Sequence, residues 1–363
     1  MPLRAIPCTM MRGGTSKGPY FRLADLPDDP TIRDRVLLAA MGSPDHRQID
    51  GIGGADTLTS KVAMVGPSRH PRAQVDYLFA QVSVEQAIVD TAPSCGNMLA
   101  GIGPFAIENG MVPAQAGETR VMIFNVNTSS LIEATVQTPG GEVEYEGDAA
   151  IDGVPGSAAP VLLSFMDVVG SKTGALLPTG RAIDLIEGVE VTCIDVAMPM
   201  VMMRAADLGK TGYEGKAELD PDAAFFARIE AIRRIAGERM GLGDVADKVI
   251  PKVGLLAPPR EGGNVTSRYF VPHRLHAAHA VTGAACVASA CVLRGSVADG
   301  IAHVERSGKE NIRIEHPSGK IDVMLESHGE GPGMQIDRAG ILRTTRKLFT
   351  GNVHVPAHLW WHA

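Results

Sequence analysis

An α+β fold is predicted by three observations on this 363-residue chain. Short apolar runs are cut by Gly, Pro and Asp, no strand–helix–strand rhythm repeats, and two helix-length segments are small and apolar on nearly every side. A helix with no polar face has to be central, so each segment is predicted to sit inside a wrapped sheet. The length allows two domains, each with its own core. The division is placed at Leu177-Pro178-Thr179-Gly180, giving halves 1–180 and 181–363, with the last strand free to return to the first half. No tandem repeat is visible, although the paired buried helices point to a degenerate duplication and hence to two pseudo-symmetric domains.

Strands are predicted over residues 4–10, 61–65, 75–84, 120–125, 131–136, 189–196, 252–257 and 311–315, several with the alternation of a half-buried strand. Residues 32–41 carry Val36, Leu37, Ala40 and Met41 at helical spacing and are predicted to cover a sheet face. Residues 221–240 form the longest predicted helix, amphipathic and peripheral, with Phe225, Ile229, Ile232 and Ile235 on one side. The two central helices are predicted over 98–108 and 283–293, each followed by a capping glycine, Gly110 and Gly295. Pro104 lies within the first and is expected to kink or shorten it.

A hydrophobic content of 45% describes an ordinary folded chain, and the formal charge of −7 argues against nucleic-acid binding because no basic stripe is present to neutralise phosphates. Aromatic residues make up 4%, too few for a base-stacking or sugar-stacking platform. No basic-apolar leader and no apolar run of about twenty residues occurs, so the expected location is the cytoplasm, with no membrane partner. The cysteines Cys8, Cys95, Cys193, Cys286 and Cys291 are odd in number and lack paired C-x-x-C spacing, which disfavours disulfides and zinc. Exposed sheet edges are compatible with a homodimer.

Two residues stand out for chemistry. Cys95 precedes Gly96-Asn97-Met98 at the expected mouth of the first central helix, where unpaired N–H groups favour a thiolate or seat a carboxylate. Its bland reading is a small buried hydrophobe. Lys61 follows a polar, Gly-rich stretch from Asp50 to Ser60, and its bland reading is a surface lysine at a strand start. The run Arg12-Gly13-Gly14-Thr15-Ser16-Lys17-Gly18 lacks Walker spacing but offers backbone N–H groups and hydroxyls to a carboxylate; otherwise it is a plain tight turn. His273, His276 and His279 are spaced for one helical face, yet no carboxylate completes a metal site, so no metal is assigned.

The Cys95-Gly96-Asn97 motif resembles the diaminopimelate-epimerase-like superfamily, whose two similar halves each wrap a sheet around a central helix and meet at the active site. Over nearly its full length the chain resembles the branch containing 2-methylaconitate isomerase, 3-methylitaconate isomerase and 4-oxalomesaconate tautomerase. The matching runs are Met11 through Gly18, Gly42-Ser43-Pro44-Asp45, Arg47 through Gly51, Ala55-Asp56, Thr59-Ser60-Lys61, Tyr77 through Val82 and Ser94 through Asn97. The stretches Gly188 through Asp195, Asp207-Leu208-Gly209, Thr211-Gly212-Tyr213-Glu214 and Pro272-His273-Arg274 most resemble 4-oxalomesaconate tautomerase.

The resemblance implies that Lys61 is the proton-abstracting base and Cys95 its partner in a cofactor-independent isomerase acting on a small unsaturated polycarboxylate from aromatic-ring catabolism. Binding roles are implied for Arg12, Gly14, Thr15, Ser16, Lys17, Gln48, Asp50, Ser60, Gly96, Asn97 and Met98, and from the second half for His273, Arg274, Thr282 and Gly283. Thr282 is also a candidate N-cap of the second central helix. In the superfamily's epimerases a second catalytic cysteine precedes that helix; Ala280 takes its place here and Cys286 lies further in, which disfavours two-thiol racemisation. The alternatives are methylaconitate or methylitaconate isomerisation and, in another class, a non-catalytic accessory protein for an aconitase-like enzyme.

Overall fold

The computed structural model describes every residue except Met1, Asp167, Pro272, His273, His362 and Ala363. The chain divides into two compact units, Met1–Ser164 with Leu342–Ala363, and Phe165–Ile341. The division expected at residue 180 thus falls at Ser164/Phe165, and the C-terminal segment is counted with the first unit.

The first unit contains β1 (Leu3–Gly13), β2 (Ser16–Arg22), α1 (Pro30–Met41), β3 (Lys61–Pro67), β4 (Val75–Val82), β5 (Val89–Asp90), α2 (Gly96–Leu99), α3 (Ile102–Glu108), β6 (Gly117–Asn125), β7 (Ser130–Thr138) and β8 (Pro160–Phe165). β1 and β2 form a hairpin, β2 runs parallel to β3, β3 antiparallel to β4, β4 parallel to β6, and β6 antiparallel to β7. One face carries Ile6, Phe21, Val62, Met64, Ala80 and Val82 and is covered by Val36, Leu37 and Met41 of α1. Asp29 starts that helix by accepting from the Ile32 N–H, Pro30 occupies its first position, and Gly42 closes it in the left-handed region. The other face wraps around α2 and α3, which touch β1, β2, β3, β6 and β7.

The first central helix starts at Gly96 rather than Met98 and is broken in two. Its ladder tightens at Ala100 and Gly101, whose N–H groups donate to Asn97 and Met98, while the Tyr20 hydroxyl takes the Met98 carbonyl at 2.6 Å. Pro104 costs no bond because it stands in the first turn of α3, where an N–H has no intrahelical acceptor.

The second unit contains β9 (Asp184–Ile186), β10 (Val189–Asp195), β11 (Pro199–Arg204), α4 (Lys216–Leu219), α5 (Ala223–Arg239), β12 (Lys252–Ala257), β13 (Val265–Phe270), α6 (Val281–Val292), β14 (Lys309–His316), β15 (Gly319–His328) and the first part of β16 (Gln335–Pro356). Its plan repeats the first. A hairpin, β10 with β11, runs parallel to β12; β12 pairs antiparallel with β13, β13 parallel with β14, and β14 antiparallel with β15. The amphipathic α5 packs on one face beside Val201, Val253 and Leu255, and α6, buried from Gly283 to Val292, fills the other with Met200, Leu256, Ile312 and Val323. The duplication is therefore visible in strand order although not in residue identity. The second part of β16 pairs with β1.

Candidate active site

Strand alternation decides which side chains of the first unit share the face of the central helix. On β3 the outward Val62 and Met64 leave Lys61, Ala63 and Val65 facing inward; on β4 the same parity turns Tyr77, Phe79 and Gln81 inward. Lys61 and Gln81 are directly paired across the two strands. The Lys61 Nζ donates to Gln81 Oε1 at 2.6 Å and lies 5.2 Å from the centre of the Phe79 ring. Gln81 in turn donates through Nε2 to the carbonyls of Thr57 at 3.1 Å and Ser60 at 2.9 Å, which orients its amide oxygen toward the amine. Four residues along the same face, about 13 Å of strand, the Tyr77 hydroxyl donates to the Cys95 carbonyl at 3.1 Å.

Cys95 is the N-cap of α2, in extended geometry, and its carbonyl also accepts from Leu99. Its side chain is 9% exposed, and its Sγ lies 4.0 Å from the Ser16 Oγ. The glycine-rich run is a hairpin whose tip is Gly14-Thr15, since Gly13 already pairs with Ser16. Gly14 sits at φ +51°, and a Cβ there would stand 2.2 Å from the Asn97 Oδ1. Asn97 lies over the tip and donates to the Thr15 Oγ1 at 3.0 Å. At Gly18 a Cβ would stand 1.8 Å from the Lys61 carbonyl, with the Met98 methyl also in reach. The hairpin, α2 and the start of β3 thus gather Gly14, Thr15, Ser16, Lys61, Cys95, Gly96, Asn97 and Met98.

Other expected binding residues are held differently. Gln48, 1% exposed, uses both amide hydrogens on the hydroxyls of Ser43 and Ser60 and accepts from the Ala55 N–H, so it organises the loop leading to Lys61. Ser60 passes its own proton to the Val82 carbonyl. Arg12 directs Nη1 to Gly14 O, Thr344 O and Thr344 Oγ1, clamping the hairpin; burial and the neighbouring Arg346 lower its pKa. Lys17 alternates with Ser16 and Gly18 and so stands on the strand face carrying Phe21. Asp50 is exposed.

In the second unit, Thr282 is the second residue of α6, whose N-cap is Ala280, so the expected capping role is not realised. Its hydroxyl and that of Tyr269 instead face the Met198 sulfur, at 4.0 and 3.4 Å. Gly283 packs against the Tyr269 ring, with room for no Cβ. Arg274 is exposed in the turn after β13, and His273 lies outside the described residues. Cys286 is wholly buried and donates to the carbonyls of Val196 and Met198 at 3.1 and 3.0 Å; burial pushes its pKa up to about 12. His279 bridges the Ala280 carbonyl and the Ser267 hydroxyl. Among the described residues, no group of three or more His, Cys, Asp or Glu side chains is arranged to hold a metal ion.

Gln81 and Tyr77 are the residues that sequence reasoning left unassigned. Both lie in the run Tyr77 through Val82 that resembles the family, but that run does not say which side chain faces Lys61, which needs the register of β3 on β4.

The sequence matches the PrpF protein family over residues 3–356. The chain belongs to that family. It is 56% identical to the (4E)-oxalomesaconate Delta-isomerase of Novosphingobium sp. (strain KA1), covering 96% of this chain and 97% of that protein. It is 53% identical to the 4-oxalomesaconate tautomerase of Pseudomonas putida, covering 98% and 97%. A crystal structure of methylitaconate-delta-isomerase superposes with a TM-score of 0.88 at 36% identity, covering 100% of this chain and 98% of that one. This PrpF-family chain is thus an isomerase, with an α+β fold shared with methylitaconate-delta-isomerase. No helix among the described residues is long and apolar enough to cross a membrane.

Proposed function

We propose that this PrpF-family isomerase moves a proton on 4-oxalomesaconate or a close unsaturated keto-tricarboxylate, in the catabolism of gallate- or protocatechuate-type aromatic acids. The observation that carries the reading is an amine held by Gln81 on the sheet face turned toward the central helix and a thiol beside Ser16 at that helix's start, in a chain more than half identical to proteins named for this substrate. The hydrogen to be removed is acidified by the adjacent carbonyl and alkene. In this reading Lys61 takes it and leaves a dienolate, and Cys95 returns a proton at another atom of the conjugated system. The hydroxyls of Thr15 and Ser16 and the amide of Asn97 supply donors for carboxylate and dienolate oxygens. Keto–enol tautomerisation and a 1,3-allylic shift share the first step and differ only in where the proton returns.

Proton NMR in deuterated water tests this. Turnover of 4-oxalomesaconate with deuterium entering at one defined position is expected. Turnover of 2-methylaconitate or 3-methylitaconate in preference to the keto-acid would overturn the substrate assignment, and turnover of none would overturn the reading.

A further inference from the structure

We propose that Gln81 is a positioning residue for Lys61, acting through the direction of its amide. An unconstrained glutamine can present either oxygen or nitrogen to an amine. Here the Nε2 is committed to two backbone carbonyls, Thr57 and Ser60, so the oxygen alone is left for Lys61. A neutral amine retains two hydrogens and one lone pair. Donation of one hydrogen to Oε1 at 2.6 Å restricts the Nζ to one side of Gln81 and turns its lone pair away from the glutamine. The same two carbonyls belong to the loop that delivers the chain to β3, so base and loop are tied by a single side chain. The Phe79 ring flanks the same amine, its centre 5.2 Å from the Nζ. Neither hydrogen bond of the Gln81 nitrogen depends on substrate, so the device is present before binding.

This role rests on Lys61 being the base, and the experiment separates the two. Gln81→Met keeps length and removes both acceptor and donors; Gln81→Glu keeps an acceptor and adds a charge that clamps the ammonium form. Turnover of 4-oxalomesaconate, the primary deuterium isotope effect on kcat, and the rate of Lys61 acetylation by acetic anhydride, read by peptide mass spectrometry, are measured for both variants beside wild type and Lys61→Met. The expected result for Gln81→Met is a fall in kcat of at least tenfold with KM within threefold, a larger isotope effect, and faster acetylation of Lys61. Gln81→Glu is expected to lose kcat as well while acetylation slows. A residue needed only for folding would shift acetylation in the same direction in both variants, and that outcome, or kcat unchanged within twofold in Gln81→Met, overturns the proposal. Retention of activity in Lys61→Met would overturn the role of Lys61 instead, and the acetylation rates would still report whether Gln81 restrains the amine.

Discussion

The hydroxyl of Tyr77 donates to the carbonyl of Cys95 at 3.1 Å, so the strand that pairs with Lys61's strand also fixes the residue at the mouth of the central helix. Because that carbonyl also accepts from the Leu99 N–H, removing the hydroxyl leaves no orphaned acceptor. Tyr77→Phe is therefore expected to lower stability by about 1 kcal/mol, read from urea unfolding. Turnover should fall severalfold with little change in KM, since the loss is one of placement. An unchanged kcat would show that α2 holds Cys95 without this contact.

Gly14 and Gly110 provide a matched pair. Both have positive φ, +51° and +68°, but a Cβ at Gly110 meets nothing within 4 Å, whereas one at Gly14 runs into the Asn97 side chain. Gly110→Ala is expected to cost about 1 kcal/mol and to leave turnover intact. Gly14→Ala should cost about 2 kcal/mol and reduce activity at least tenfold, because Asn97 must swing off Thr15. Thermal melts and steady-state rates on both variants check this.

The five thiols should differ in reactivity. Cys193, Cys286 and Cys291 are fully buried, and burial drives each pKa to about 12. Cys8 is raised by burial as well. Iodoacetamide at pH 8 is expected to modify Cys95 alone in the native protein, with substrate protecting it. Cys95→Ser should lose about a hundredfold in turnover, and Cys286→Ala should lose stability while keeping most of the rate. Peptide mapping that finds Cys286 labelled in folded protein would contradict the structure.

His279 sets an acid limit on stability. It is buried, its Nδ1 donates to the Ala280 carbonyl, and burial depresses its pKa from 6.5 to about 3. Between these values the unfolded chain binds a proton that the native state refuses, so stability is fully present above about pH 6.5 and is lost as pH falls toward 3. The slope contributed by this one group is about 1.4 kcal/mol per pH unit at most. Urea midpoints at pH 7.5 and pH 5 should differ less in His279→Gln than in the wild type. Equal differences in the two proteins would mean that His279 is protonated without cost.

Composition and spacing along the chain encode the elements that form locally. Helix α6 was legible because Gly283 through Leu293 has no polar side, and α1 because Val36, Leu37, Ala40 and Met41 share a face. The motifs around Lys61 and Cys95 marked the family, and the strand at 252–257 was legible residue for residue. The central helix expected over 98–108 was legible as buried and as interrupted, but the interruption falls at Ala100 and Gly101, where the Tyr20 hydroxyl takes the Met98 carbonyl, and not at Pro104.

Which polar side chains are consumed by the scaffold emerges from packing between distant segments. Gln48 and Ser60 read as polar residues near Lys61 and are consumed by each other and by Val82; Lys17 reads as a neighbour of Ser16 and stands on the opposite face. Gln81 lay in a family-like run with no role attached to it, and its contact with the amine follows from pairing with Lys61 across two strands. The reason is physical. Periodicity along a chain reports how much of a residue is buried, but a hydrogen-bond partner is chosen by register and facing parity between distant segments, and these exist only once the sheet has formed.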